Sequence, residues 1–419
     1  MYSLVRLLLH KPTRLSLFDI HRLFMRDANY SITRGIALAR HILKHEKIIR
    51  FNGSHIISSF LPPIPSKALL SFIRSGQHED RLFSDLIKIR RSAPLSVYLC
   101  VTDRCNYHCQ YCSADYVSAR SDPNTEQWKT LIRTFQNMGT ANIGFTGGEP
   151  LLREDIEAII ASVDDRSTTV LFTNGFDLIP ERARSLKQSG LFALSISLDS
   201  HDAAIHNRLK GHAQAFEKAC AAIENAAREG FYTIVQAVIF QEELVREKVL
   251  ALCRLAEKLG AHEIRIHQPT PSGRLLNMPD ANGIFYTDQD REKLFAIQKQ
   301  ANRVLGKNFK VTSFPFTEGA GKFGCTAGLF HSYVSASGEL FPCDFIPLSF
   351  GNLFEGDAAR KWQDMADAIK RPRSGCWSTT LKDKLTHTDL PLSKEKAIRL
   401  CQAEQPSSFP GIYRKFHLE

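Results

Sequence analysis

The stretch LSVYLCVTDRCNYHCQYC, residues 95–112, decides how the whole chain is read. Its first part, Leu95 to Thr102, is a strand-like run that follows Pro94. Its second part places Cys105, Cys109 and Cys112 at C-x3-C-x2-C spacing in the loop that leaves that strand. Three thiolates this close together can ligate three irons of a [4Fe–4S] cube and leave the fourth iron without a protein ligand. An iron with an open position can chelate a small molecule through amino and carboxylate groups and pass it an electron. The other reading of clustered cysteines is a structural zinc site, which is usually closed by a fourth protein ligand at finger-like spacing.

Outward from this strand, the pattern repeats. Strand-like runs at Ala141 to Thr146, Thr169 to Thr173, Phe192 to Leu198, Thr233 to Phe240 and Glu263 to His267 follow the first. Amphipathic stretches near 125–138, 153–163, 180–188, 214–228, 246–258 and 288–305 lie between and after them. Six strand–helix units in succession imply an α/β fold with a parallel sheet and crossover helices, open or curled into a partial (β/α)6 barrel over residues 95–310. Past about residue 310 the helical rhythm gives way to short runs rich in Phe, Gly and Cys, read as a small domain over 311–380 with a tail at 381–419. Residues 1–94 read as a helical accessory domain, with helices at Leu15 to Met25, Ile32 to His45 and from Lys67, around a hairpin turned at Asn52-Gly53.

Composition narrows the class. The chain has 419 residues, 43% apolar and 23% charged, which excludes a disordered or collagen-like protein. No run approaches the length of a membrane span, since Leu4 to Leu9 is cut by Arg6 and stopped by Pro12. The same run makes no convincing secretory signal, so the expected compartment is the cytoplasm, where ten cysteines are thiols or metal ligands. The net charge of +10 lies wholly in residues 1–95, which hold 16 Lys/Arg and 6 Asp/Glu. Such a surface is either simply solvated or meets an acidic partner: a membrane surface, an acidic peptide or a nucleic acid.

At the cysteine loop the chain resembles the radical S-adenosylmethionine superfamily, and the likeness continues strand by strand. Thr146-Gly147-Gly148-Glu149-Pro150, after the second strand, resembles the family's GGE motif, which implies that Gly147, Gly148 and Glu149 meet the ammonium of S-adenosylmethionine. Thr173-Asn174-Gly175 ends the third strand and Ser195-Ile196-Ser197-Leu198-Asp199 the fourth, where the family places ribose and carboxylate contacts, here Asn174, Ser197 and Asp199. Tyr111 holds the aromatic position that typically lies near the adenine. The segment His206-Asn207-Arg208-Leu209-Lys210-Gly211 resembles one that usually reads H-D-x-x-R-G. Lys210 stands where Arg is common, and one ammonium cannot make the forked pair of a guanidinium to the methionine carboxylate. By this resemblance the catalytic set is Cys105, Cys109 and Cys112, the cofactors are a [4Fe–4S] cluster and S-adenosylmethionine, and a small reductant such as flavodoxin or ferredoxin supplies the electron.

Cys325 and Cys343 form a second group at C-x12-G-x4-C spacing about Gly338. This arrangement resembles the opening of the SPASM and twitch extensions, which hold an auxiliary [4Fe–4S] cluster. The dense cysteine block of a full SPASM domain is missing, so the shorter twitch-like form is the nearer match, with Cys376 as third ligand. Cys401, Asp344 or substrate is then the fourth, and a small zinc knuckle is the alternative. Cys100, Cys220 and Cys253 sit at core-facing positions of their elements.

The implied function is hydrogen abstraction from a substrate by a 5′-deoxyadenosyl radical, in an oxidoreductase or transferase. A small molecule and a peptide both remain open as substrate, and a cluster-bearing sensor without turnover is the alternative outside catalysis. In the basic region, Leu17, Ile20, Leu23 and Phe24 share one helical face beside Arg14, Arg22 and Arg26. Such a helix either inserts at an anionic membrane interface or packs its apolar face on the barrel, the commoner fate.

Overall fold

The computed structural model describes residues 7–58, 61–115, 122–276, 278, 283–406 and 409–416. Asn52 and Gly53, at φ 44° and 78°, supply the left-handed pair that turns β1 (Ile49–Phe51) back into β2 (Ser54–Ile56). Helices Lys11–Phe24 and Ile32–Ile42 precede this hairpin and Lys67–Arg74 follows it. The last two start where a serine side chain accepts a backbone N–H, Ser31 from Arg34 and Ser66 from Leu69.

The six strands expected from the sequence are all present. They are β3 (Ser96–Cys100), β4 (Asn142–Thr146), β5 (Thr168–Thr173), β6 (Ala193–Ser197), β7 (Tyr232–Val238) and β8 (Glu263–His267), parallel and in that spatial order. Between them run helices Thr125–Met138, Ile156–Ile160, Pro180–Gln188, Ala215–Arg228 and Arg246–Lys258. The crossover helices pack on one face of the sheet, Tyr98, Phe172, Gln236, Arg265 and His267 line a cavity on the other, and all five residues of β8 are buried. The fold is α/β, a partial barrel of parallel strands.

Two further parallel strands come from beyond residue 309. β9 (Lys310–Ser313) pairs with β8, and β10 (His331–Val334) pairs with β3 at the opposite edge. β11 (Leu340–Phe341) returns antiparallel to β10, so the order is β11-β10-β3-β4-β5-β6-β7-β8-β9. Residues 314–330 therefore link the two edges of the open barrel, and the N-terminal helices pack against that link. Lys322 donates from Nζ to the carbonyls of Ile42 and Lys44 at 2.9 and 2.8 Å and to Glu46 at 2.7 Å. Lys310 Nζ donates to the carbonyl of Ile57 at 2.7 Å.

Leu17, Ile20 and Leu23 are half-buried against the core, and Phe24 is buried in it. The face expected to choose between membrane and barrel thus packs on the protein. Among the described residues, no helix is long and apolar enough to cross a membrane.

Candidate active site

The cysteine loop leaves β3 and is held against three other segments, all at the carboxyl end of the sheet. On one side Gly148 N–H donates to the Thr102 carbonyl and Glu149 N–H to the Arg104 carbonyl, both at 2.8 Å. A Cβ on Gly147 would meet the Thr102 oxygen at 2.3 Å, and one on Gly148 the Arg104 oxygen at 2.3 Å. These glycines let the turn after β4 lie directly on the cysteine loop, a reason for them additional to the ligand approach expected from sequence. On a second side, His108 and Gln110 N–H groups donate to the carbonyls of Lys210 and Leu209, at the end of helix Ala203–Lys210. Gly211 ends that helix at φ 65°, and a Cβ there would meet the His108 oxygen at 2.7 Å.

The third side was not singled out in the sequence. Arg274 donates from its backbone to the Cys112 carbonyl at 3.0 Å and from its guanidinium to the Cys109 carbonyl at 2.9 Å and to Asp115 at 3.1 Å. Gly273, at φ 49°, sits so close that a Cβ would lie 2.1 Å from the Cys112 oxygen. The available signal was the turn-forming run Pro271-Ser272-Gly273 just past the sixth strand.

Cys105 is exposed, and Cys109 and Cys112 are half-buried. Although Cys105 as a residue is exposed, desolvation of its sulfur in the loop pushes the thiol up to about 11, and the neighbouring Glu149, Cys109 and Cys112 push it the same way. The three sulfurs thus lie within electrostatic reach of one another. Among the described residues, no three His, Cys, Asp or Glu side chains converge as ligands of one ion. A cube takes each thiolate on a different iron, so its ligands need not converge in that manner. The donor set could hold a cluster.

Glu149 is 1% exposed. Its carboxylate accepts from Leu151 N–H at 3.1 Å, Thr173 Oγ1 at 2.7 Å and Asn174 N–H at 2.7 Å, which leaves one of about four lone-pair sites open. Burial raises it to about 7 against these hydrogen bonds. A buried carboxylate with donors but no cation among the described residues is a place where an ammonium would fit and restore the charged form. Asn174 donates to Asn106 Oδ1 at 2.7 Å and accepts from Phe176 N–H, so its side chain braces the loops as well as standing at the strand end. Ser197 is half-buried at the last position of β6.

Tyr111, Asp199 and Lys210, predicted as separate cofactor contacts, are brought together in one buried group. Tyr111 Oη donates to Asp199 Oδ2 at 2.5 Å, and Lys210 Nζ lies 3.1 Å from the same oxygen, 2.5 Å from Tyr111 Oη and 5.0 Å from the ring centre. Val238 N–H donates to Asp199 Oδ1 at 3.0 Å. Burial works against both charges, yet Lys210 holds Asp199 below its usual range and Asp199 holds Lys210 above its own. The Lys210 ammonium thus has Asp199 and Tyr111 as partners for two of its three donors. His206, fully buried beside them, accepts the Asp199 N–H at Nδ1 and is lowered by burial to about 4.

Cys325, Cys343 and Cys376 also come together, and all three line one cavity. Burial raises the thiols of Cys343 and Cys376, and Cys325 lies close enough to push both the same way, as Cys376 does Cys343. The pairing of Cys325 with Arg373, N–H to carbonyl at 2.8 and 3.0 Å in the two directions, carries the 373–376 segment to this place. Asp344 lines the same cavity, 3.6 Å from His331 Nε2. Cys401 is elsewhere, fully buried in the core on helix Lys394–Ala403 with Arg373 as its charged neighbour. Glu318, also lining the cavity, was not anticipated; burial raises it to about 8, with Asp344 adding to the shift.

A family profile described as the Radical SAM superfamily matches residues 99–250. An AdoMet-dependent heme synthase of Nitratidesulfovibrio vulgaris is 29% identical over 277 residues, 60% of this chain and 74% of that one. One from Methanosarcina barkeri is 28% identical over 303 residues, 67% and 85% of the two chains. Among solved structures, Streptococcus suis SuiB bound to precursor peptide SuiA matches with a TM-score of 0.56 at 18% identity, covering 73% of this chain and 76% of that one. The structure of anSMEcpe with bound AdoMet matches with a TM-score of 0.54 at 17% identity, covering 77% and 95%. At such identities the structural likeness speaks to the fold.

Proposed function

The chain belongs to the radical S-adenosylmethionine superfamily and is an enzyme, and from that premise we propose that Cys105, Cys109 and Cys112 ligate its catalytic [4Fe–4S] cluster while Cys325, Cys343 and Cys376 hold an auxiliary one. The observation that carries this reading is the three-sided seating of the cysteine loop on the Gly147-Gly148-Glu149 turn, the end of helix Ala203–Lys210 and the Gly273-Arg274 clamp. That seating fixes three thiols beside a buried, cation-free carboxylate at the carboxyl ends of parallel strands, where this architecture places ligands. When bound, the cluster supplies one electron for reductive cleavage of the cofactor's C5′–S bond.

The chain's own residues have distinct parts. Glu149 accepts the cofactor ammonium. Asn174 and Ser197 line the strand ends beside it. Lys210 is a positioning residue: its charge neutralises Asp199, and Asp199 in turn fixes the Tyr111 ring, so Lys210 is not assigned to the methionine carboxylate. The auxiliary thiols face the cavity, where a cluster could take up a second electron from substrate or bind it. Asp344 and Glu318 stand nearest as carboxylates for a fourth ligand, and Cys401 is set aside by its place in the core.

Anaerobic reconstitution tests the assignment. The protein should hold about eight irons, two cubes of four. Changing Cys105, Cys109 and Cys112 together to Ala should remove about half of them and abolish 5′-deoxyadenosine formation. Cleavage that survives the triple change refutes the catalytic set. Unchanged iron in a Cys325→Ala, Cys343→Ala protein refutes the auxiliary one.

A further inference from the structure

The two N-terminal helices carry apolar side chains on both sides. In Lys11–Phe24 the buried positions Thr13, Ser16 and Phe24 define the inner face. Lys11, Leu15, Phe18 and Arg22 fall together on the outer face and are all exposed, Leu15 by 53% and Phe18 by 54%. On Ile32–Ile42, Ile32, Ile36 and Arg40 repeat this pattern at four-residue spacing. Of the eleven exposed large hydrophobic residues among those described, seven lie between Leu8 and Ile36. Seven within thirty residues is more than the single scattered residues that need no explanation. It lies within the segment that holds the whole net charge of the chain.

Beneath the two helices is a cavity of about 400 Å³, a volume that holds one small organic molecule. Ile32 and Ile36 line it and are also exposed, so its mouth opens on the same surface. Leu17, Ile20 and Leu38 make apolar walls. The inner end is polar, with Gln236, Arg265 and His267 from β7 and β8, the carboxyl groups of Glu318 and Asp344 and the thiols of Cys325, Cys343 and Cys376, and Arg265 is paired with Glu263 at 3.2 Å. His267 is 7% exposed and its Nε2 has no hydrogen-bond partner among the described residues, an unmet need that a ligand's polar group would satisfy. In register with His267 stands Val238, whose N–H donates to Asp199, so this end of the cavity adjoins the Tyr111–Asp199–Lys210 group.

We propose that the substrate is a single-chain lipid taken from an anionic membrane surface, its polar head seated against Gln236, Arg265 and His267 and its hydrocarbon chain running along the apolar walls to a mouth that rests on the membrane. The term substrate depends on the function proposed above, whereas the binding does not. Basic residues near an anionic bilayer each contribute roughly fivefold to partitioning, so Lys11, Arg14, Arg22 and Arg40 beside exposed apolar side chains suit that partner.

Sedimentation with phosphatidylcholine vesicles, with and without phosphatidylglycerol, tests the surface. Binding should require the anionic lipid and weaken by about tenfold or more between 0.1 and 0.5 M salt. A Leu15→Glu, Phe18→Glu protein should lose binding by a similar factor with its circular dichroism unchanged, since both positions are exposed. Native mass spectrometry of protein recovered from vesicles doped with palmitoyl lysophosphatidylglycerol tests the cavity. One lipid per chain is expected, and its loss in Ala39→Trp, which fills the mouth, would place it there. Absent binding at low salt, binding indifferent to the two glutamates, or recovered protein free of lipid each overturns the proposal. So does uptake of protoporphyrin in place of the lipid. Iron content and 5′-deoxyadenosine formation, measured on the same samples, report separately on the cluster assignment.

Discussion

Replacing Gly273 with alanine should unseat the cysteine loop, and the size of the effect can be worked from the structure. The new Cβ would stand 2.1 Å from the Cys112 carbonyl oxygen and 2.8 Å from the Ser113 carbonyl carbon, both backbone atoms with no rotamer to yield. Real contacts of this kind stay beyond 3.0 Å, so the loop or the turn must move by 3.0 − 2.1 = 0.9 Å. That shift stretches the Arg274 hydrogen bonds to Cys112 and Cys109, now 3.0 and 2.9 Å. With φ at 49°, the substitution also carries left-handed backbone strain of about 1–2 kcal/mol. Gly230→Ala separates the two effects, because Gly230 has φ 72° and nothing within 4 Å of its Cβ position. Both variants should lose about 1–2 kcal/mol to strain. Only Gly273→Ala should also lose iron, from about eight per chain toward four, together with S-adenosylmethionine binding. Equal iron content and equal cofactor affinity in the two proteins would refute the claim that the Gly273 turn seats the cluster loop.

Two other changes probe the buried charges. Lys210→Met leaves Asp199 without its cation, while Tyr111 and Val238 still donate to it, so urea unfolding should show a loss near the low end of the 3–5 kcal/mol expected for a broken buried pair, about 3 kcal/mol. A loss below about 1 kcal/mol would mean that water compensates Asp199 and that the group is not closed. His206, lowered by burial from 6.5 to about 4, makes the unfolded chain take up a proton that the folded chain refuses in that range. Its share of stability is therefore lost as pH falls from about 6.5 toward 4, amounting to about 3 kcal/mol. His206→Gln should remove that part of the acid slope, and identical slopes in the two proteins would contradict it.

The repeating strand–helix units were legible in the sequence because long amphipathic helices and apolar strands carry strong periodicity, and each expected strand from Leu95 to His267 is found in order. Lys310–Ser313 and His331–Val334 were missed for the opposite reason. They are four residues long and partly polar, and what makes them strands is an open sheet edge already waiting for them. The same limit governs the site. Cys105, Cys109 and Cys112 announce themselves by spacing, whereas Arg274 and Glu318 reach their places only through the fold. Lys210 shows another side of this. Its position in the segment pointed to a carboxylate, and the fold sets it 3.1 Å from that of Asp199, a partner the spacing did not name.

The N-terminal region illustrates why charge composition alone could not choose between its readings. Part of its role is structural: Glu46 faces two fully buried lysines from the other side of the molecule, Lys322 at 2.7 Å and Lys310 at 3.7 Å, and so fastens the helices to the link between the barrel's open edges. Those cations lie outside the basic segment, and the anion that meets them is one of its six acids. The fastening therefore uses up negative charge on the inner side and leaves the segment's own cations outward, as at Lys11, Arg14, Arg22 and Arg40. A region that merely closed the barrel would have no use for Leu15, Phe18 and Ile32 among those cations, where more than half of each is exposed. A surface that is both basic and apolar, over a cavity whose polar end adjoins the Asp199 group, is explained by one arrangement: the helices that close the barrel are also the entrance to it.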